Sequence, residues 1–506
     1  MGLHVRDLIN AARAADAAGP EDQQAAAADA SRGFAPAGRI SPVVLAGLVR
    51  AVELLLVAAS GILVYLVYLR GHVSLNLSYV VALGAITALS AFAFQAVGAY
   101  TVTALRSLVP TGLKLLGAWS FVFLCAIAFV FFLKAGQSLS RVWLGSWYLA
   151  GFAALVLERI CLSVAVRRMA AAGRFERRTA IVGGGDPANE IIRALQAQPE
   201  TGIRIVGVFD DRDDSRSPPV VGGYEKLGTV ADLVEYARKT PLDLVIFTLP
   251  ISAENRLLQM LGKLWVLPID IRLSAHASKL RLRPRSYSYI GSVPVLDVFD
   301  RPIADWDLVV KWIFDKVVGS VLLVFALPLL LAAALAVRLD SRGPILFRQK
   351  RYGFNNELIE VLKFRTMYTD KTDATASRLV TKDDPRVTRV GRILRKTSID
   401  ELPQLLNVVF KGDMSLVGPR PHAVKANAQD RLYDQVVDGY FARHRVKPGI
   451  TGWAQINGWR GETDTSEKIQ RRVEHDLYYI ENWSVFFDLY ILLATPFSLL
   501  KTENAY

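Results

Sequence analysis

Four apolar runs, at roughly residues 43–69, 79–99, 113–133 and 142–166, dominate the first third of the chain. Each is about 20 residues or more, the length a helix needs to cross a bilayer's hydrocarbon. Glu53, Glu158 and Arg159 sit near span ends or face partner helices, too few to demote the runs. Tyr65, Tyr68, Trp143 and Trp147 lie near the ends, where interfacial anchors are expected. Basic residues gather in the 100–114 loop and in Arg167, Arg168, Arg174, Arg177 and Arg178. The positive-inside rule then places the N-terminus and everything after Arg167 in the cytoplasm. Residues 1–38 are Ala-rich with no apolar face and read as a disordered cytosolic tail.

After Arg178 the pattern shortens to alternating strands and helices. Strand-like runs at 179–182, 204–209, 242–248 and 269–273, with helical segments between them, predict a small parallel sheet over 178–300. Gly183, Gly185 and Ala188 follow the first strand in loose dinucleotide spacing, with Asp210 about the right distance onward. Two readings stand: a nucleotide or phosphate site at a helix start, or a tight turn in a domain that only spaces or dimerises.

A fifth apolar segment fills 307–340, with a core at 317–337 that is long enough to cross. Pro328 interrupts it, and basic residues flank both ends, which fits a bent helix that enters and returns on one face. Hydropathy favours a span and charge symmetry favours re-entry, so pattern alone leaves the two even. Residues 486–500 are apolar but short, broken by Asp488 and Pro496, and read as an interfacial helix.

Composition sharpens this outline. The chain has 506 residues, 52% hydrophobic and 21% charged, with a formal net charge of +13 and a mean hydropathy of +0.27. Wholly disordered and wholly soluble architectures are thereby excluded. Only Cys125 and Cys161 occur, both in apolar runs, so no disulfide scaffold or Cys-rich zinc site is expected, and buried thiols are. Residues 342–396 hold 14 Lys/Arg against 6 Asp/Glu, a local +8, whereas 397–506 come to −2. That concentration suits lipid headgroups, a phosphate-handling active site, or both. The six histidines are dispersed and lack zinc-ligand spacing.

Arg395-Lys396-Thr397-Ser398-Ile399-Asp400-Glu401 is the strongest chemical constellation. Ser398 and Glu401 could form a capping box without any chemistry. Alternatively, Asp400 is a carboxylate nucleophile for a phosphoryl group whose charge nearby cations neutralise. Adjacent positions on a helix point about 100° apart, which suits separate roles for Asp400 and Glu401 better than a shared proton. Gly418-Pro419-Arg420-Pro421 holds an arginine in a stiff turn fit for phosphate contact, or for a plain ion pair. The loop 447–455, with Lys447, Trp453 and Gln455, could hold a nucleoside or be a packed turn.

Together with Phe347-Arg348-Gln349-Lys350-Arg351, Lys363-Phe364-Arg365-Thr366-Met367 and 412–421, these motifs resemble the bacterial polyprenyl-phosphate hexose-1-phosphate transferases. The motif match runs in order from about Lys311 to the C-terminus, and the four spans with a Rossmann-like domain in front resemble the large monotopic phosphoglycosyl transferases of that family. The resemblance implies a four-span helical bundle, an α/β Rossmann-like domain, and an α/β catalytic domain over 341–506 anchored by a re-entrant helix at 307–340. It implies transfer of a sugar-1-phosphate, with glucose first and galactose second, from a UDP-sugar to undecaprenyl phosphate at the cytoplasmic face of the inner membrane. Asp400 would attack and Glu401 would bind Mg²⁺. Lys363, Arg365, Arg395, Arg420, Pro421, Lys447 and Gln455 would serve the substrates. The partners implied are UDP-sugar, undecaprenyl phosphate and the bilayer, with no nucleic acid, and a homodimer stays open. One departure is Leu327-Pro328, where family members often have Ser-Pro, so only the kink at Pro328 carries over. A membrane nucleotide-sugar dehydratase would need a Tyr-x-x-x-Lys pair, which is absent. A non-enzymatic lipid-binding scaffold would tolerate loss of Asp400.

Overall fold

The computed structural model describes residues 40–69, 76–132, 139–198, 201–212, 218–249, 253–275, 288–369, 384–422, 427–428, 431–432, 439–459 and 465–501. The tail at 1–38 lies outside them. Residues 31–176 form one compact unit, and residues 177–506 belong to another.

The first unit is a helical bundle. Helices α1 (Pro42–Val64, continued by a π-turn at Tyr65–Leu69), α2 (Leu77–Ala96), α3 (Val102–Arg106), α4 (Leu108–Phe132) and α5 (Arg141–Ala171) pack around buried aromatic side chains. Four of these helices are long and apolar enough to cross a membrane. Glu53 on α1 and Arg159 on α5 are both buried and pair with each other, and Arg159 also donates to the Ala99 carbonyl. Trp143 and Trp147 differ from the expectation of interfacial anchors. Both are buried, with Nε1 donating to the carbonyls of Gly61 (3.1 Å) and Val57 (2.9 Å). Gly61 is the reason: a Cβ there would meet the Trp147 ring at 2.5 Å, so only glycine lets α1 and α5 close on the indoles. Tyr65 is buried against Tyr79 as well, and only Tyr68 is exposed. Cys125 is half-buried and Cys161 exposed, so neither thiol is the buried one that composition suggested.

The second unit opens with an eight-stranded sheet. Its strands are β1 (Arg177–Val182), β2 (Ile203–Phe209), β3 (Val220–Val221), β4 (Tyr224–Gly228), β5 (Leu244–Phe247), β6 (Asp270–Ser274), β7 (Ser288–Ile290) and β8 (Val293–Phe299), in the order β3-β4-β2-β1-β5-β6-β8-β7. The five central strands are parallel, and β3, β8 and β7 are joined at the edges through antiparallel pairs β3–β4, β6–β8 and β8–β7. Helices α6 (Asp186–Gln196), α7 (Val230–Lys239) and α8 (Glu254–Leu264) cover two buried clusters, one on each face. The glycine turn after β1 is bound from within. The Gly184 N–H donates to Asp210 (2.8 Å), and Arg212 donates both to Asp210 and to the Gly184 carbonyl (3.0 Å). Of the two readings of Gly183-x-Gly185, the geometry favours a tight turn stapled by the acidic residue at the end of β2.

Helix α9 (Asp305–Asp340) runs unbroken through Pro328 and is the fifth helix long and apolar enough to cross. Its first turns pack on β11 (Ser415–Val417) and a late helix, α12 (Val485–Lys501). Its last turns pack on Phe364, at the end of the hairpin of β9 (Leu346–Tyr352) and β10 (Leu358–Phe364), and on Leu394 of α10 (Arg389–Thr397). Lys311 donates to the Val417 carbonyl and to Asp488, which also accepts from Tyr479 (2.7 Å) and Trp483 (3.2 Å). Asp488 thus does not merely interrupt an apolar run; it is the buried anchor between α9 and α12. The same region also holds β12 (Gly449–Thr451), parallel to β11, and α11 (Ser466–Glu481).

The C-terminal region and the sheet domain touch directly. Asn355 donates to the Ala237 carbonyl at the end of α7, Arg238 stacks over Phe441, and Arg445 donates to the Asp300 carbonyl.

Candidate active site

The two acidic residues sit on a single 3₁₀ turn, Ile399–Glu401, just beyond α10. Ser398 makes this possible by taking a left-handed conformation (φ 59°, ψ 17°) that ends α10 and redirects the chain. Its side chain makes no capping bond at that turn, so the capping-box alternative is not what places Glu401. Glu401 instead reaches into the fold. It accepts from Lys363 Nζ at 2.9 Å and from both terminal nitrogens of Arg420, one of them at 3.0 Å.

Three backbone features aim these cations. Lys363 lies near the end of β10, opposite Phe347 in the hairpin register. Arg420 lies on a loop locked to its neighbour: Gly418 N–H donates to the Thr451 carbonyl (2.9 Å), and Gly449 N–H donates to the Pro419 carbonyl (3.0 Å). A Cβ on Gly418 would meet the Lys447 carbonyl oxygen at 2.6 Å, so the loops approach this closely only with glycine. Arg395 leaves the last turn of α10 and donates to Thr366 Oγ1 (2.8 Å).

The two carboxylates have opposite electrostatic fates. Burial opposes the charge on Glu401, but Arg420 and Lys363 outweigh it and hold its carboxyl well below the usual range. Burial dominates at Asp400, and with Glu401 beside it the carboxyl is pushed up, although Lys363 and Arg395 oppose this. Among the described residues nothing hydrogen-bonds to the Asp400 carboxylate. Glu401 is therefore committed to an ion-pair network, while Asp400 is a poorly solvated carboxylate with its oxygens available. Adjacent acids driven apart in this way take different roles.

Other expected positions lie elsewhere. Arg365, one residue past β10, donates to the carbonyls of Pro344, Ser341 and Arg342, closing the end of α9 rather than facing Asp400. Lys447 donates to the Gly412 carbonyl (2.6 Å), and its charged neighbours are Lys311, Asp315, Lys316 and Asp413. Gln455 is buried and donates to Ile450, and Trp453 packs among Tyr478, Phe487 and Tyr490. The 447–455 loop is thus a packed turn that braces Arg420. Pro421 belongs to the site through its backbone, since its carbonyl accepts from Arg351. Sequence reasoning passes over Arg443, which is fully buried. It pairs with Asp476 and donates to the Arg420 carbonyl (2.7 Å), and thereby fixes the Arg420 loop from behind. Strand alternation is the signal available for Arg351; Arg443 has none.

Among the described residues no group of three or more His, Cys, Asp or Glu could form a metal cage. Mg²⁺ ordinarily takes one or two carboxylates and completes its shell with water and substrate phosphates; of the two adjacent acids, Glu401 is bonded to Lys363 and Arg420, while Asp400 accepts no hydrogen bond among the described residues.

Residues 306–502 match the bacterial sugar transferase family, and residues 95–275 match a CoA-binding domain family. Over 391 residues, 77% of this chain and 81% of the relative, the chain is 37% identical to the UDP-glucose:undecaprenyl-phosphate glucose-1-phosphate transferase of Klebsiella pneumoniae. The Escherichia coli protein of the same name is 37% identical over 78% of this chain and 82% of its own length. The Xanthomonas campestris one is 34% identical over 90% of this chain and 94% of its own. The chain belongs to the bacterial polyprenyl-phosphate hexose-1-phosphate transferases. It is a phosphoglycosyl transferase, and the Asp400–Glu401 turn, with its three cations, lies inside the matched sugar transferase region.

Proposed function

We propose that this phosphoglycosyl transferase moves glucose-1-phosphate from UDP-glucose to undecaprenyl phosphate by double displacement on Asp400. The observation that carries the reading is the contrast between an unbonded Asp400 carboxylate and a Glu401 fixed by Lys363 and Arg420. An Asp400 oxygen attacks the β-phosphorus of UDP-glucose, and the bond from that phosphorus to the bridging oxygen breaks. UMP departs with the bond's electrons, and glucose-1-phosphate remains on Asp400 as an acyl phosphate. A phosphate oxygen of undecaprenyl phosphate then attacks the same phosphorus, and Asp400 leaves as a carboxylate. Undecaprenyl-diphospho-glucose is the product.

Attack by an anion on a diphosphate is opposed by like charge, and Lys363, Arg395 and Arg420 offset that repulsion. Glu401, with Asp400, would hold Mg²⁺; when bound, the ion supplies further neutralisation of phosphate charge. Glu401 also keeps Lys363 and Arg420 beside Asp400, since both are bonded to it.

The acceptor is a lipid, and α9 brings the site to it. What supports a re-entrant α9 is that both its ends hold polar contacts with one domain. Lys311 and Asp315 bond β11 and α12 near the start, and Asp340 accepts from the Val390 N–H near the end. A crossing helix would put these contacts on opposite faces of a bilayer. The reaction would then occur at the cytoplasmic face of the bacterial inner membrane, as the first step of exopolysaccharide, capsule or O-antigen synthesis.

The test is UMP release from a panel of UDP-sugars by the membrane-embedded chain, with undecaprenyl phosphate and Mg²⁺. UDP-glucose should turn over fastest, with UDP-galactose the runner-up, and Asp400→Asn should abolish release while leaving membrane insertion intact. Turnover retained by Asp400→Asn would rule out the mechanism.

A further inference from the structure

The basic run in β9 is sorted by strand alternation. Arg348 and Lys350 point outward and are exposed, whereas Gln349 is buried and Arg351 turns inward on the face that carries Lys363 of β10. Arg351 is held by neutral groups only. Its Nε and Nη2 donate to Gln349 Oε1 at 3.1 and 2.8 Å, and its Nη1 donates to the Pro421 carbonyl. Lys363 and Arg420 are ion-paired with Glu401, whereas Arg395 and Arg351 feel carboxylates only through space, Arg395 from Asp400 and Asp384 and Arg351 from Glu401. No carboxylate pairs with Arg351 among the described residues. Burial and repulsion from Arg420 pull its guanidinium down to about 10.

An arginine turned inward with no anion of its own is costly unless a ligand supplies one. Around Asp400 and Glu401 the charges are likewise unbalanced, because Arg351, Lys363, Arg395 and Arg420 gather there and only Arg395 also has Asp384 near it. We propose that Arg351 is a substrate ligand whose guanidinium takes a phosphate oxyanion of a substrate. The proposal rests on the Asp400 reading and adds a residue to it. Two bonds to Gln349 fix the plane of the fork, and the Pro421 carbonyl ties it to the loop of Arg420. An oxyanion that meets Arg420 therefore lies within the same cationic wall. The anion comes either from the diphosphate of the nucleotide sugar or from the headgroup of the lipid acceptor.

The two half-reactions separate these sources in the full-length chain reconstituted in nanodiscs. Isotope exchange between UMP and UDP-glucose needs no acceptor, whereas overall transfer can be titrated with undecaprenyl phosphate. Arg351→Met is expected to raise KM for UDP-glucose in exchange, or KM for undecaprenyl phosphate in transfer, by about tenfold or more, as for one lost charge-assisted bond. Arg351→Lys should restore part of that loss, and the arm that moves identifies the phosphate. An Arg351→Met enzyme with both KM values unchanged overturns the assignment. Should that variant fail to fold, phenylglyoxal labelling of the unmodified chain decides. Slower labelling of Arg351 with UDP or undecaprenyl phosphate supports the proposal, and a rate that neither changes overturns it. Absence of UMP exchange in the wild type would instead remove the double displacement, and the labelling would still judge Arg351.

Discussion

At the scale of single residues, the site works by giving two neighbouring carboxylates different surroundings. Glu401 sits in a network with Lys363 and Arg420 whose side chains are only 14%, 15% and 21% exposed. Solvent therefore screens these pairs less than surface ones. Glu401→Gln keeps the shape and removes the charge, leaving Lys363 and Arg420 without their shared anion. Turnover should fall by about a hundredfold or more, the loss typical of one preorganised electrostatic group. Steady-state UMP release measures it, and near-normal turnover would show that Glu401 is only structural. The pH profile tests the other carboxylate. Asp400 must be ionised to attack, and burial raises its pKa, so activity should fall as pH drops through a value above the ordinary aspartate range. Glu401, held well below that range, adds no second limb. An acid limb at or below the ordinary value would contradict the assignment. Asp400, Glu401, Arg395 and Arg420 are legible in the sequence because their motifs are compact and chemically unusual. Arg365 is not, because membership of a basic motif does not say which way a side chain leaves the end of a strand. Arg351 can be found by applying the two-residue alternation to its own basic run.

At the scale of elements, the site depends on how closely its supports pack. Gly391 lets α10, which carries Arg395, lie against Thr366, since a Cβ there would clash with the Thr366 backbone. Gly391→Ala should push α10 away and lower kcat more than it raises KM, because Asp400 follows directly on that helix. The Lys311–Asp488 pair is a second support. Lys311→Met strands Asp488, whose side chain is wholly buried, at a cost of about 3–5 kcal/mol. A lower melting temperature in detergent, relative to wild type, reports it; an unchanged one would mean that Tyr479 and Trp483 suffice for Asp488. The helical runs and strands of the sheet domain are evident from periodicity, which depends on local pattern. The destinations of Trp143, Trp147 and Asp488 are not, because an indole N–H or a carboxylate in an apolar run is defined by the helix it meets.

At the scale of the whole molecule, the proposed transfer needs a cationic site for phosphates and an anchor at a bilayer, and the C-terminal region carries both the Lys363, Arg395 and Arg420 cations and the long apolar helix α9. The Gly184–Asp210–Arg212 turn of the sheet domain is bonded from within, and the domain's α7 touches the catalytic region at Asn355 and Phe441. The +13 net charge points to phosphate from the outset, and two of its cations, Lys363 and Arg420, are ion-paired with Glu401 beside Asp400. The topology of α9 belongs to this scale. Single cysteines at Asp307 and Arg342 should both be labelled from the cytoplasmic side by an impermeant maleimide, whereas labelling from opposite sides would make α9 a span. The most direct test of the central claim is to incubate the purified chain with UDP-glucose and no lipid acceptor, then map the peptides by mass spectrometry. One hexose-phosphate is expected on the peptide containing Asp400, with stoichiometric UMP, and neither in Asp400→Asn. UMP that appears only when undecaprenyl phosphate is present, with no modified peptide, would contradict the claim and point to direct transfer.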